Sequence, residues 1–288
     1  MGTSNSFGGP GNQTPLIPSF LGGGDGDIGG QNNSDNNNAG ERDNGNNDSG
    51  QEGTPDRNTS QRFRAARTNF TKFVNSGGRD RRALGRSISS YVSRSAGGSG
   101  NASKRIGASK RVTAGIFGFL NSVRTDGVAT ALSSRNLNNL IGKPIDEVFV
   151  GLLEDMCPDG GNIDEGLARN AFVETIAQLV NEGLETLDNL SAEQFQHVIE
   201  VFVTNAIEGR LYNDIGSKVI FESSDVRTVE FIQEQVHDFI QGSVADAIAR
   251  HSAEFDNISG LDTNTLVDEI YTDAYEILES LSENEAND

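Results

Sequence analysis

The sequence predicts an all-α protein, with a helical, bundle-like body preceded by a long, disordered N-terminal tail rich in glycine and asparagine. Two observations support this prediction. From about position 59 onward, apolar residues recur at the i, i+3, i+4, i+7 spacing of amphipathic helices, and no segment alternates as a strand does. Before that position glycine and asparagine dominate, and hydrophobic residues make up only 34% of the whole chain, which favours an unfolded part.

The predicted tail is residues 1–57. Glycine loses the most backbone entropy on ordering, and this segment has few apolar side chains whose burial would offset that loss. A glycine-rich chain of this length spans about 40 Å on average. We therefore expect the tip of the tail to reach the cleft of a partner protein.

Apolar stripes predict seven helices in the body. They lie within residues 63–74, 84–96, 145–156, 167–180, 195–207, 229–240 and 266–281. Glycines at 77–78 and 97–100 end the first two, and Pro144 opens the third. Asn162 with Glu165, and Ser191 with Gln194, have capping-box spacing before the fourth and fifth. The repeated ASKR at 102–105 and 108–111 is a local duplication, because six residues is not a repeat-protein period.

Charge divides the chain into three blocks, with a net charge of −7 over residues 1–56, +14 over 57–124 and −26 over 125–288. The predicted organisation follows them: a tail at 1–57 with an N-terminal peptide motif, a basic helical segment at 58–124 and an acidic all-α domain at 125–288. The overall net charge of −19 argues against general binding of the whole protein to nucleic acid or to anionic membranes.

The basic segment has two interpretations. Its candidate patch comprises Arg62, Arg64, Arg67, Lys72, Arg81, Arg82, Lys104, Arg105, Lys110 and Arg111. Interleaved with Phe63, Phe70, Phe73 and Tyr91, these cations have the composition that holds phosphates and stacks bases. The alternative is that they lie against the acidic block or an acidic partner. We favour charge complementarity, because acidic residues outnumber basic ones and repel nucleic acid.

No pattern in the sequence predicts an enzyme, a cofactor or a metal site. Glu234 and His237 have the ExxH spacing of di-iron helices, but such sites need two of these motifs pointing into a bundle. Glu234 lies almost opposite the apolar face of its helix, so we expect both side chains to be solvated. Cys157 is the only cysteine, which excludes an internal disulfide, and we expect it to be a buried small hydrophobe.

The sequence also favours a cytoplasmic protein that is not attached to a membrane. The first thirty residues lack the basic and apolar regions of a signal peptide, and no apolar run approaches the roughly 20 residues of a spanning helix. Residues 1–6 match the N-myristoylation pattern. A single acyl chain anchors only marginally, however, and the nearest basic cluster lies some fifty residues away.

The N-terminal tip and the basic helices together resemble one protein family. The uncharged tip, MGTS and then GGPG…TPLIPSFL, is followed by an Asn/Gly linker and by RNTSQRFRAARTNFTKFV and SGGRDRRALGRSISSYVSRS. With the ASKR segment and the acidic helical remainder, this resembles QatB, a component of the bacterial four-gene Qat anti-phage system. The similarity runs through most of the chain and is strongest at residues 1–21 and 58–124.

The resemblance implies a non-enzymatic adaptor that works with a QueC-like enzyme (QatC), an ATPase and a TatD-like nuclease. QueC enzymes use ATP to activate a carboxyl group on a 7-deazaguanine. For their defence relatives, the resemblance implies that the deazaguanine is joined to the N-terminal glycine of a partner protein. Gly2 is the matching position here and therefore the implied modification acceptor. The alternative function is a nucleic-acid-binding defence or phage protein that uses residues 57–124.

The chemistry of the tip is compatible with this role. A glycine behind Met1 permits removal of the methionine, and an α-amine with a pKa near 8 is about one-tenth neutral at pH 7, enough to attack an activated acyl group. The lack of charge limits the desolvation cost in a narrow site. Proline pre-stiffens the apolar cluster for docking. The expected docking residues are Thr3, Ser4, Pro15, Leu16, Ile17, Pro18, Phe20 and Leu21.

Overall fold

The computed structural model describes residues 61–157, 161–184, 186–188, 190–216, 225–256 and 262–284. Every regular element within these residues is a helix and none is a strand, which confirms the all-α prediction. The described residues belong to one compact unit. The tail at 1–57 and all the candidate residues of the tip, Gly2 included, lie outside the described residues.

The described part of the body contains eleven α-helices, two π-helical segments and one 3₁₀ turn. In chain order they are α1 (Arg64–Asn75), α2 (Arg81–Ser90), the first π segment (Tyr91–Ala96), α3 (Ser99–Lys104), α4 (Gly107–Asp126), α5 (Val128–Ser134), the 3₁₀ turn (Asn138–Leu140), α6 (Ile145–Met156), α7 (Ile163–Asn181), α8 (Ala192–Leu211), the second π segment (Tyr212–Gly216), α9 (Val226–Arg250), α10 (Ser252–Asp256) and α11 (Thr263–Asn284). None of these helices is long and apolar enough to cross a membrane.

A glycine turn joins α1 to α2, as the sequence predicts. Gly77 and Gly78 have φ angles of 66° and 79°, a region that favours glycine because it has no Cβ. Asp80 then caps α2, its carboxylate accepting a hydrogen bond from the Ala83 amide at 3.0 Å. The two helices pack against each other as a hairpin.

The first π segment continues α2 and keeps one face buried. Buried pairs recur every four residues, at Ala83–Leu84, Ser87–Ile88, Tyr91–Val92 and Ser95–Ala96. Because an α-helix turns once in 3.6 residues, a four-residue repeat drifts by about 40° per repeat. The wider i→i+5 turn of the π segment reverses this drift. Gly97, at φ 89°, then ends the segment.

The basic and acidic blocks share one hydrophobic core. Helix α4 runs through the charge boundary at 124/125, and the C-terminal helix α11 packs against α2, α3, α4 and α9. Phe117 of α4, Phe195 of α8 and Phe255 of α10 form a buried aromatic cluster, with ring centroids 4.9 to 5.7 Å apart. The boundary in charge is therefore not a boundary in packing.

The predicted helix ends are largely correct. Ser191 and Gln194 form the full reciprocal capping box, and Asn162 caps α7 through the Glu165 amide. Pro144 immediately precedes α6. Helices α3, α4, α5 and α10 were not among the seven predicted. The first ASKR copy ends α3 and the second lies in the first turns of α4.

We expect Phe117→Ala to destabilise the body by about 3–5 kcal/mol, because it empties a fully buried ring site in the aromatic cluster. Urea unfolding followed by circular dichroism measures this change. Phe231→Ala is the matched control, since Phe231 is 40% exposed and should cost much less. Equal losses for the two variants would contradict the assignment of the core.

Candidate functional site

The Asp214 carboxylate is the centre of a buried charge network. Asp214 lies in the second π segment and is only 8% exposed. Its Oδ2 accepts a hydrogen bond from Tyr91 Oη at 2.9 Å and lies 3.3 Å from Arg210 Nε and 3.6 Å from Arg105 Nη2. Its Oδ1 accepts from Asn213 Nδ2 at 3.0 Å. Two cations and two neutral donors thus compensate one buried carboxylate.

The protonation states of the network follow from burial and neighbouring charge. Burial is the largest cause that raises the pKa of Tyr91 well above its ordinary value, and the Tyr275 hydroxyl and the Asp214 carboxylate raise it further. Tyr91 is therefore a fixed hydrogen-bond donor. Burial lowers the pKa of Arg210, but the Asp214 carboxylate and other neighbours more than reverse that, so its pKa is raised overall.

Two arginines of the basic segment reinforce this centre. Arg67 of α1 donates to the Asp214 main-chain carbonyl from Nε at 3.2 Å and from Nη2 at 2.7 Å. The guanidinium groups of Arg67 and Arg105 lie 5.4 Å and 5.6 Å from the centroid of the Phe63 ring, within the range of a cation–π contact. The network therefore joins the start of α1 to the second π segment.

Further contacts hold α4 against the acidic helices. Asp164, in the first turn of α7, accepts from the Ala108 amide at 2.7 Å and so caps α4 from another helix. Lys110 Nζ lies 2.9 Å from an Asp268 carboxylate oxygen, and Arg111 Nη2 lies 3.5 Å from Glu165 Oε1. Charge complementarity between the two blocks thus exists within the chain.

The ten residues of the predicted basic patch divide into two groups. Arg62, Arg67, Arg105, Lys110 and Arg111 bind carbonyls or carboxylates of the body. Arg64, Lys72, Arg81, Arg82 and Lys104 are exposed and form no ion pair within the described residues. Arg79, Arg86 and Arg94, which the predicted patch did not include, are also exposed and unpaired in that part of the chain.

The aromatic residues of the basic segment belong to the core. Phe63, Phe70, Phe73 and Tyr91 are between 0 and 6% exposed, so they have no ring face free to stack on a base. The stacking half of the nucleic-acid alternative is therefore wrong for these four residues. If the segment binds phosphates, the exposed cations are the residues that can do so.

Arg62, just before α1, is held in place by contacts with the first π segment. Its guanidinium donates to the main-chain carbonyls of Ser95 and Ala96, and the Ser95 hydroxyl donates back to the Arg62 carbonyl at 2.9 Å. Ser95 itself is buried. The chain at this point is tied to the first π segment, whose Arg94 is exposed.

A family model described as Qat anti-phage system associated protein QatB matches residues 97–278. The chain belongs to the QatB family. Its role is therefore in Qat anti-phage defence, with partners inside that defence system. The match contains Arg105, Asp164, Arg210 and Asp214. The similarity to QatB was expected to be strongest at 1–21 and 58–124, whereas the matched region is mostly the acidic helices. No curated protein and no solved structure matches the chain.

The histidines of this QatB-family chain pair with carboxylates. His237 is half-buried with its Nδ1 2.8 Å from Glu208 Oε2, so it is less solvated than predicted, whereas Glu234 is exposed as expected. No group of three or more potential ligands from His, Cys, Asp and Glu converges among the described residues. His237 thus stabilises the packing of α9 against α8.

Cys157 is buried and unpaired, as predicted. Burial is the largest cause that raises the pKa of its thiol to about 11, and the Arg169 charge opposes this only in part. A thiol with this pKa is almost entirely protonated at neutral pH, and the nucleophile in cysteine chemistry is the thiolate. Cys157 therefore acts as a small core residue.

We expect Asp214→Asn to destabilise the body by about 3 kcal/mol, because it leaves Arg105 and Arg210 without their buried counter-charge. Chemical denaturation measures the difference. Asp268→Asn is the control: it removes the same charge from the Lys110 pair, where the Asp268 side chain is 64% exposed, and should cost less than about 1 kcal/mol. A smaller loss at position 214 than at 268 would refute the network's importance.

The His237–Glu208 pair predicts a pH dependence of stability. Hydrogen bonding to Glu208 is the main cause that raises the pKa of His237 above 6.5. Protonation therefore favours the folded state, and the stabilisation is complete below about pH 6.5 and is lost as pH rises through the raised pKa. We expect His237→Gln to lower stability by about 1 kcal/mol at pH 5.5 and little at pH 8.5. In a Glu208→Gln background the effect of His237→Gln should no longer depend on pH. If the pH dependence persists in that background, the His237–Glu208 pair is not its source.

Proposed function

We propose that this QatB-family protein is a non-enzymatic adaptor that presents its N-terminal glycine to the QueC-like enzyme of the Qat system. In this proposal Met1 is removed and the Gly2 amine becomes the substrate. The reaction takes place in the cytoplasm, where the ATP that the enzyme consumes is available. The system's ATPase and TatD-like nuclease are the further partners.

The chemical step needs only a nucleophile from this chain. The neutral Gly2 amine attacks the activated acyl carbon of a deazaguanine carboxyl group. A nitrogen–carbon bond forms, the bond from that carbon to its activating group breaks, and the amine releases a proton to solvent. The product is an amide. The partner enzyme supplies the activation, and the adaptor supplies an unhindered amine.

The observation that carries the proposal is the fixed attachment at Arg62. The guanidinium is bound to two main-chain carbonyls, and Ser95 returns a hydrogen bond to Arg62. Residues that precede Arg62 therefore start from a defined point on a rigid body. A long N-terminal segment rooted in this way suits delivery of a terminal amine to another protein.

We expect intact-mass analysis of protein co-expressed with the Qat partners to show a chain that begins at Gly2 and carries an added acyl group. Gly2→Leu should abolish the adduct, because leucine blocks methionine removal and crowds the amine. Gly8→Leu is the control, since it adds the same bulk to the tip without touching the α-amine. An unmodified Gly2 amine under conditions that support phage defence would refute the modification.

Deleting residues 15–21 should weaken binding to the QueC-like enzyme and reduce the yield of the adduct. The apolar, proline-flanked segment is the part of the tip with contact area to offer. The melting temperature should stay unchanged. Deleting residues 31–37, which removes the same length of chain from the Asn-rich region, is the control. Equal effects of the two deletions would indicate that only the length of the tail matters.

A further inference from the structure

Three exposed arginines form a line along α2 and the first π segment. We call these residues the arginine stripe; they are Arg82, Arg86 and Arg94. Their positions follow the same four-residue spacing as the buried pairs, but on the opposite, solvent-facing side of the helix. Ser90 fills the remaining position of the repeat. Because the π segment corrects the drift of the repeat, the three charges stay on one side over about three turns.

The stripe is locally unfavourable for the helix that carries it. Arg81 and Arg82 stand in the first turn of α2, where the helix dipole disfavours cations, and no acidic residue accompanies them there. Arg82 and Arg86 are a like-charged i, i+4 pair, which repels. Asp80, which directly precedes Arg81, is engaged in capping α2. Within the described residues no acid pairs with the stripe.

This contrasts with the other cations of the segment. Arg105, Lys110 and Arg111 each have a carboxylate partner inside the body. The body therefore has acids that pair with cations, and within the described residues none of them pairs with the stripe. An uncompensated row of arginines on the surface is suited to an anionic partner from outside.

We infer that the arginine stripe is the docking face for an acidic helix of a partner protein in the Qat system. Arginines four residues apart are separated by about 6 Å along the helix, the same rise that separates acids at i and i+4 on a facing helix. The inference rests on the proposed adaptor function, and it adds the surface by which the body is held while its N-terminus reacts.

A protein partner is favoured over a nucleic acid for two reasons. The aromatic residues of the segment are all buried, so the stripe has no stacking platform beside it. The net charge of the chain is −19, which repels a long polyanion but tolerates a short acidic helix. Arginine also suits this role because its planar fork binds carboxylates in two places.

The test compares two triple variants that remove the same charge. Arg82→Gln, Arg86→Gln and Arg94→Gln together remove the stripe. Lys143→Gln, Arg227→Gln and Arg250→Gln together remove three cations from outside the basic segment. Each protein is titrated separately against the QueC-like enzyme, the ATPase and the TatD-like nuclease of the system, by calorimetry at 50 mM and 300 mM NaCl.

We expect at least one of the three partners to bind the stripe variant about tenfold more weakly at 50 mM NaCl, with a smaller difference at 300 mM. The control variant should bind as the wild type does. The melting temperature of the stripe variant should equal or exceed that of the wild type, because the substitutions relieve repulsion. Unchanged affinity for all three partners, or no binding to any, would overturn the inference.

Two further measurements separate the possible failures. Duplex and single-stranded DNA and RNA oligonucleotides are titrated against the wild type and both variants. If the stripe variant loses affinity for an oligonucleotide but for none of the three proteins, the inference is overturned in favour of nucleic acid. The Gly2 adduct is measured in parallel. An absent adduct with stripe-dependent binding would refute only the proposed modification. An intact adduct with stripe-independent binding would refute only the assignment of the arginine stripe as a docking face.

Discussion

A carboxylate buried in the interior must be matched by cations, and Asp214 imposes that requirement on the whole body. Arg105 and Arg210 supply the charge, and Tyr91 supplies a hydrogen bond from a position 123 residues earlier in the chain. Removing two charges from water costs several kcal/mol per ion, so the geometry has to be right for the network to be tolerated. The first π segment, the start of α4 and the end of α8 are thereby held in one arrangement.

The network explains why a strongly basic segment can be part of an acidic protein. One group of its cations pairs with Asp214, Asp268 and Glu165 and so links the two charge blocks. The other group is exposed on α1, α2 and α3 without ion-pair partners in the described part of the chain. Stability and the proposed recognition of a partner thus use the same residue types at different positions.

Several features of the site followed from sequence patterns, and others did not. The capping box at Ser191, the burial of Cys157 and the pairing of basic with acidic residues rest on local spacing or on block charge, and the structure has them. The partner of His237 could not be found this way, because Glu208 lies on another helix. Nor could the contact between the Arg105 guanidinium and the Phe63 ring, because the two residues are far apart in the sequence.

The sequence by itself determined the helical class, most helix ends and the apolar face of each predicted helix, because a 3.6-residue period and a cap are properties of a few neighbouring residues. Its charge blocks also determined that basic and acidic parts attract. Only the tertiary structure decided which arginines pair with Asp214, since that depends on where Asp214 lies once α1 and the second π segment are packed. The tertiary structure also decided that a π segment follows α2. The buried pairs of the four-residue repeat must all face the core, and the π segment keeps them in that direction.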